Sequence, residues 1–75
     1  MSYKILKRKY SLVDGLQHFE VAVESPSLTS FCLNEILREQ CPEGFIFNSL
    51  EVAGFNYEPL TVRSVGIINF LFVQR

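Results

Sequence analysis

Apolar and polar residues alternate along the first third of the chain, which is typical of half-buried β-strands. The alternation predicts one strand from Tyr3 to Leu12 and a second from Leu16 to Glu24. Asp14-Gly15 lies between them, and this dipeptide is typical of a two-residue hairpin turn. The chain is therefore expected to begin with a β-hairpin.

The two-residue turn fixes which residues of this hairpin face one another. The predicted pairs are Val13 with Leu16, Tyr10 with Phe19, Leu6 with Val23, Lys9 with Glu20 and Ser11 with His18. Aromatic pairs and pairs of opposite charge both stabilise a hairpin, so this register is chemically consistent. Arg8 is the exception, because it lies opposite Val21 on the apolar face. Its side chain is expected either to extend past the helix into solvent or to contact a specific group.

Apolar residues then follow at helical spacing from about Pro26 to Gln40. Ser25 is a favoured N-cap, and proline fits the first helical position because its missing N–H is not needed there. The segment 41–44, which contains a proline and a glycine, ends the helix. The apolar side of the predicted helix consists of Leu28, Cys32, Leu33, Ile36 and Leu37. Phe31 lies beside the polar side, where it either packs at the sheet edge or contacts a partner.

Two further strands are predicted after the helix, and each is apolar on both faces. The third runs from Phe45 to Val52, and the last runs from Val62 or Val65 to Gln74. Ala53 to Pro59 contains strand-breaking residues and is predicted as a loop. The fold class is therefore α+β in the order ββαββ: a four-stranded antiparallel sheet with one helix packed on one face, forming a single domain over residues 1–75.

The apolar residues of the last two strands exceed what one helix can cover. A half-buried antiparallel sheet normally has one polar face, and monomers rarely expose a large apolar patch. We therefore expect a homo-oligomer, in the first instance a dimer that packs sheet to sheet about a two-fold axis. The predicted oligomer interface consists of Phe45, Phe47, Ile67, Leu71 and Val73. Alternative covers are the 53–60 segment folding back over the sheet, or a different protein.

The segment from Gly54 to Arg63 is the strongest candidate for a binding loop, since long connections in small domains often carry function. Its candidate binding residues are Phe55, Asn56, Tyr57 and Arg63. Aromatic rings beside an arginine suit a nucleotide-like ligand. The same residue types are favoured in protein interfaces, and they also suit a loop that simply packs onto the sheet.

Composition limits the class of protein. With 75 residues, 48% of them hydrophobic, the chain is long enough for one domain and too apolar for disorder. Cys32 and Cys41 lie in the predicted helix roughly 13 Å apart, too far for a disulfide. The start of the chain does not resemble a signal peptide, and the longest apolar run, Gly66 to Val73, is too short to span a bilayer as a helix. We therefore expect a cytoplasmic protein with no membrane partner.

Charge is unevenly distributed although the net charge is −1. Four cations lie in the first ten residues, and all eight acids lie between residues 11 and 62. The cations are Lys4, Lys7, Arg8 and Lys9. They suit either nucleic-acid binding or a solvated strand face whose charges discourage aggregation at a sheet edge. The low pI of about 5.7 favours the second interpretation and makes a nucleic-acid partner the weaker alternative.

No residue pattern in the chain indicates catalysis, a metal or a cofactor. His18 is the only histidine, and Ser11, His18 and Glu20 are expected on a face exposed to solvent or to an interface. We therefore expect a non-enzymatic protein-binding module, an accessory factor or an inhibitor made by a phage or mobile element, that acts as a homo-oligomer. The first alternative is a protein that sequesters or senses a nucleotide-like ligand between subunits through Arg8, His18, Tyr57 and Arg63. The second is nucleic-acid binding through the basic first strand.

Overall fold

A computed structural model describes residues 3–26, 29–58 and 63–75, with residues 55–58 and 63–65 described by their backbone only. The described residues form four strands and one helix in the order ββαββ, which confirms the predicted α+β class. The elements are β1 (Lys4–Val13), β2 (Leu16–Ser25), α1 (Ser30–Gln40), β3 (Phe45–Glu58) and β4 (Arg63–Gln74).

The strand order in the sheet is β1-β2-β4-β3, and every neighbouring pair is antiparallel. The last strand therefore lies inside the sheet, while β1 and β3 form its two edges. Because β2 and β3 are both antiparallel to β4, they run parallel to each other. The helix between them returns the chain across one face of the sheet, as parallel strands require.

The first hairpin has the predicted turn and, over most of its length, the predicted register. Asp14 and Gly15 have φ angles of 53° and 79°, the left-handed conformations that a two-residue hairpin turn requires. The pairs from Lys7 to Val13 match the prediction, including Tyr10 with Phe19, Lys9 with Glu20 and Ser11 with His18. Leu6 is the exception.

Leu6 does not face Val23 as predicted. It is an extra residue in β1, and Ile5 takes its place opposite Val23. A bulge of this kind adds one residue to one strand and shifts every pair beyond it. The prediction was wrong because counting outwards from the turn assumes an uninterrupted ladder.

The helix begins later than predicted. Its N-cap is Thr29, whose side-chain oxygen accepts a hydrogen bond from the backbone N–H of Cys32 at 3.4 Å. Ser25 instead ends β2 and is 1% exposed, so Ser25-Pro26 does not cap the helix. Both Ser25 and Thr29 are favoured N-caps, and the length of β2 decides between them. The predicted helical residue Leu28 lies outside the described residues.

The predicted loop at 53–59 is also a strand over most of its length. β3 continues to Glu58, and its last residues pair with the beginning of β4, as in Tyr57 with Ser64. The segment therefore does not fold back over the sheet as a cover. Gly54 does not break the strand. It follows Ala53, an extra residue that forms a bulge in β3, and pairing with β4 continues beyond it.

The hydrophobic core lies between the helix and the two central strands. Its buried members are Phe19, Val21 and Val23 of β2, Ile68, Phe70 and Phe72 of β4, and Ile36 of the helix. One row of aromatic rings crosses the sheet within this layer. Phe19 lies 4.6 Å from Tyr10 and 6.1 Å from Phe72, and Phe72 lies 6.2 Å from Phe47, between ring centroids. Aromatic pairs at these distances add to the stabilisation from burial.

Candidate functional site

The structure offers two surfaces that the helix leaves uncovered. The first, here called the open face, is the side of the sheet opposite the helix. Side chains of directly paired residues in an antiparallel sheet point to the same side, so the pairing register assigns each residue to a face. Because Ile68, Phe70 and Phe72 point to the helix, the alternating residues Ile67, Asn69, Leu71 and Val73 lie on the open face.

A shallow depression of about 370 Å³ occupies the middle of the open face. Ala22 and Asn69 form its floor at the centre of the sheet. Its polar and charged lining consists of Lys7 and Lys9 from β1, Glu20 from β2, and Ser49 and Glu51 from β3. The small side chain of Ala22 leaves space between the longer side chains on either side. Lys7 and Lys9 therefore lie along one wall of the depression, Glu51 lies on the other, and Glu20 lies next to Lys9 between them.

The charged residues of this depression have no partners within the part of the chain that the structure describes. Lys9 and Glu20 are directly paired on neighbouring strands, yet neither forms an ion pair or a hydrogen bond there. The same holds for Lys7 and Glu51. An exposed surface ion pair contributes only about 0–1 kcal/mol, so solvent competes effectively for these groups. They are thus available to a molecule that binds this face.

His18 also lies on the open face, opposite Ser11 on one side and Val73 on the other. Its Nδ1 atom is buried and has no hydrogen-bond partner in the described structure. The structure places Ser11, His18 and Glu20 on one face, but no hydrogen bond links them. The geometry therefore does not form the relay of hydrogen bonds that activates a nucleophile.

The second uncovered surface is the outer edge of β3, here called the apolar edge. It consists of Ile46, Phe47, Leu50 and Val52, which are 47%, 43%, 37% and 50% exposed. Phe47, Leu50 and Val52 pair with the buried residues of β4, so they lie on the helix side but beyond the cover of the helix. Their exposed surface continues that of the hydrophobic core.

The two edges of the sheet differ in how they are protected. β1 carries four cations and a bulge at Leu6, both of which discourage another strand from pairing with it. β3 has a single charged residue, Glu51, between Phe45 and Gly54. Its bulges at Asn48 and Ala53 leave the intervening segment Ser49–Val52 regularly paired. An edge strand with exposed apolar side chains and few charges is a typical site for pairing with another chain.

The five residues predicted as one oligomer interface do not share a face. Phe45 and Phe47 lie on the helix side, where Phe45 packs against the core and Phe47 contacts Phe72. Ile67, Leu71 and Val73 lie on the open face and are half-buried. The bulge at Asn48 places Leu50 on the opposite side from Ile46, so simple alternation along β3 fails there. Of the predicted interface, Phe47 therefore belongs to the apolar edge, Ile67, Leu71 and Val73 belong to the open face, and Phe45 belongs to neither.

Arg8 contacts a specific group, one of the two outcomes expected for it. Its Nη2 donates a hydrogen bond to Oε1 of Gln40 at 3.2 Å. Gln40 Nε2 donates to the hydroxyl of Tyr3 at 2.9 Å, and this hydroxyl donates to Oε1 of Glu39 at 2.5 Å. Arg8 thus joins a hydrogen-bonded chain between β1 and the end of α1. It lies on the opposite face from His18, so the structure does not bring these two predicted ligand contacts together.

Phe31 is the most exposed large hydrophobic side chain in the described structure, at 76%. It does not pack at the edge of the sheet, one of the two positions expected for it. Contact with a partner stays a prediction. The side chains of Phe55, Asn56, Tyr57 and Arg63 lie outside the described residues, so only their backbone pairing in the β3–β4 hairpin is established.

The basic stretch of β1 is divided between the two faces of the sheet. The pairing register directs Lys4, Lys7 and Lys9 to the open face and Arg8 to the helix side. Glu20 lies directly opposite Lys9. The cations on the open face therefore lie among acids, and nucleic-acid binding through β1 stays a prediction.

Cys32 and Cys41 are both free thiols. Among the residues that the structure describes, no three His, Cys, Asp or Glu side chains cluster in a way that would hold a metal ion. None of the helices in the same residues has the length and apolar character needed to cross a membrane. No protein-family model matches the chain, and comparisons with curated proteins and with solved structures also found no match.

Proposed function

We propose that this chain is a non-enzymatic protein-binding module, an accessory factor or inhibitor that receives an extended segment of a partner protein at its apolar edge. The observation that carries the proposal is the exposure of Ile46, Phe47, Leu50 and Val52 on an edge strand whose only charge between Phe45 and Gly54 is Glu51. A partner segment that pairs with β3 would extend the sheet by a fifth strand.

The chemistry of the edge indicates the kind of segment that fits. Pairing with β3 would satisfy the backbone groups on its outer side, and it is sequence-independent. Phe47, Leu50 and Val52 all lie on the helix side, so every second residue of the segment would be apolar on that side. Glu51 points to the other side and would favour a basic or neutral neighbour there.

Lysine substitutions on β3 test this proposal. Val52→Lys and Leu50→Lys each place a charge within the apolar edge, the means by which natural edge strands resist pairing. Leu12→Lys is the matched control, since Leu12 is 70% exposed on the opposite edge strand. The tagged protein and the three variants would be used to capture partners from cells that express the chain, with circular dichroism confirming that each variant is folded.

We expect a partner that is retained by the native protein and by Leu12→Lys but lost from both β3 variants. In the purified complex, amide hydrogen exchange should slow in Ser49–Val52 more than in β1. Equal retention of the partner by all four proteins would contradict the proposal.

A further inference from the structure

One row of residues across the open face carries a charge pattern that is complementary to itself. The directly paired residues Lys7, Ala22, Asn69 and Glu51 form one row across all four strands, here called the charged row. It begins with a cation on one edge strand and ends with an anion on the other. Read from the opposite edge, the order of charges is reversed.

We propose that two copies of this chain pack open face against open face about a two-fold axis parallel to the strands. This inference goes beyond the proposed binding at the apolar edge, whose other members lie on the helix side of β3 and which shares only Ile46 with the open face. The axis would pass between β2 and β4, through the middle of the charged row. The rotation then places Lys7 of each copy over Glu51 of the other, and Ala22 over Asn69.

The positions of the two charges explain why a second copy fits better than contacts within one chain. Lys7 and Glu51 lie on the two edge strands, three strand spacings or roughly 14 Å apart. They are too far apart to pair with each other, and neither has a partner among the described residues. The two-fold rotation brings both into contact with an opposite charge of the other copy, which gives two Lys7–Glu51 contacts per dimer.

The twist of the sheets does not remove this match. Packed sheets cross at about 30°, and Lys7 lies roughly 7 Å from the proposed axis. The crossing angle therefore displaces it by about 4 Å relative to Glu51 of the other copy, a distance that a flexible lysine side chain can span. The depression beside Ala22 provides space for the opposing Asn69.

The open face is large enough for a stable interface. Four strands about 4.8 Å apart and about eight residues long cover roughly 500 Å² per copy, or roughly 1,000 Å² in a dimer. A specific interface needs about this area. Ile67, Leu71 and Val73 supply half-buried apolar surface around the charged row, and Ile46 adds a side chain that is 47% exposed. These residues would lose their remaining contact with water in the dimer.

Charge reversal with rescue tests the dimer. Lys7→Glu and Glu51→Lys each replace two attractive contacts by two repulsive ones, so each should weaken dimerisation at least about tenfold. The double variant restores opposite charges in the reversed sense and should return the dimer dissociation constant to within about threefold of the native value. Sedimentation velocity over about 1 to 200 µM measures all four constants.

Arg38→Glu is the matched control, because it makes the same change in net charge as Lys7→Glu on the exposed side of the helix. It should leave the dimer intact. A native protein that is monomeric at about 200 µM would overturn the proposal. So would single variants that dimerise as the native protein does, or a double variant no better than the single ones.

The same variants separate this inference from the proposed function. Lys7 lies on the edge strand farthest from β3, so Lys7→Glu should abolish the dimer and leave partner capture at the apolar edge unchanged. Val52→Lys should do the reverse, because Val52 points to the helix side. If only the dimer or only partner capture is observed and responds to its own variant, that proposal stands and the other is overturned.

Discussion

Tyr3 connects the beginning of the first strand to the end of the helix. Its hydroxyl donates to Glu39 and accepts from Gln40, which in turn accepts a hydrogen bond from Arg8. Burial and the neighbouring Glu39 carboxylate raise the pKa of Tyr3 above its ordinary value of 10.0. The neutral phenol is therefore favoured in the folded state.

This pKa shift predicts how stability depends on alkaline pH. Below pH 10 the phenol is protonated in both the folded and the unfolded chain, so its contribution to the free energy of unfolding is fully present and does not change with pH. Above pH 10 the unfolded chain loses its proton first, and stability falls until the pH passes the folded pKa. Tyr3→Phe should reduce this loss of stability. Urea unfolding of the native protein and the variant between pH 8 and 11 would then show a smaller decrease of the free energy of unfolding with pH in the variant.

Tyr3→Phe also removes the two hydrogen bonds that the Tyr3 hydroxyl forms with Glu39 and Gln40. We expect it to cost up to about 1 kcal/mol at pH 7, because the group is partly exposed and solvent replaces its partners. Tyr10→Phe is a suitable control, since Tyr10 packs on Phe19 through its ring and the substitution removes the same hydroxyl from another part of β1. An alkaline slope that Tyr3→Phe leaves unchanged would assign the pH dependence to other groups.

A second prediction about a single residue concerns Phe31. Its side chain is 76% exposed and contributes little to the core, so Phe31→Ser should change the free energy of unfolding by less than about 0.5 kcal/mol. Thermal denaturation measures this change. If Phe31 contacts a partner, the same variant should lose the partner while it stays folded; a clear loss of stability would instead mean that Phe31 packs against the fold.

At the scale of elements, the helix depends on one cap and one buried side chain. Thr29 is its N-cap, and Thr29→Ala should cost about 1 kcal/mol. Thr29→Ser keeps an oxygen at the same position and should cost little. Urea unfolding of the two variants compares them directly; equal losses from both would show that the hydroxyl does not cap the helix.

Ile36 is the only fully buried residue of the helix among the described residues. It fills the layer between the helix and the aromatic row of the sheet. Ile36→Ala should therefore cost about 2–5 kcal/mol, while Ile36→Val should cost about 0.5–1.5 kcal/mol. Chemical denaturation gives both values, and the exposed helix variant Phe31→Ser provides the baseline. Losses below about 1 kcal/mol for Ile36→Ala would mean that the helix is not docked through this residue.

At the scale of the whole molecule, stability and assembly are linked. A domain of this size hides only about 60% of the surface of its unfolded chain, so an additional interface has a large effect on its stability. If the open faces dimerise, the melting temperature should rise with protein concentration, because mass action favours the folded dimer. Differential scanning calorimetry between about 10 and 500 µM measures this rise, and Lys7→Glu should reduce it. A constant melting temperature would indicate a monomer.

Much of the fold followed from local patterns. The dipeptide Asp14-Gly15 predicted the first turn, because aspartate and glycine accept the positive φ angles that this turn needs. The length of the turn then predicted the residue pairs nearest to it. The helix was predicted from apolar spacing, but Ser25 and Thr29 are both favoured caps, and the length of β2 decides for Thr29. The candidate surfaces were less predictable. Which face each residue of β3 occupies depends on a bulge at Asn48, and no residue pattern near Asn48 predicts that bulge.

The sequence by itself determined the order of elements, the α+β class and the surplus of apolar residues after the helix, because periodicity and turn chemistry act over a few neighbouring residues. Only the tertiary structure decided that β4 lies inside the sheet and that β3 is its edge. That placement depends on contacts between residues far apart in the chain. It determines which apolar side chains become core and which remain on an edge. It also brings Lys7, Ala22, Asn69 and Glu51 into one row, although they are separated by up to 62 positions in the sequence.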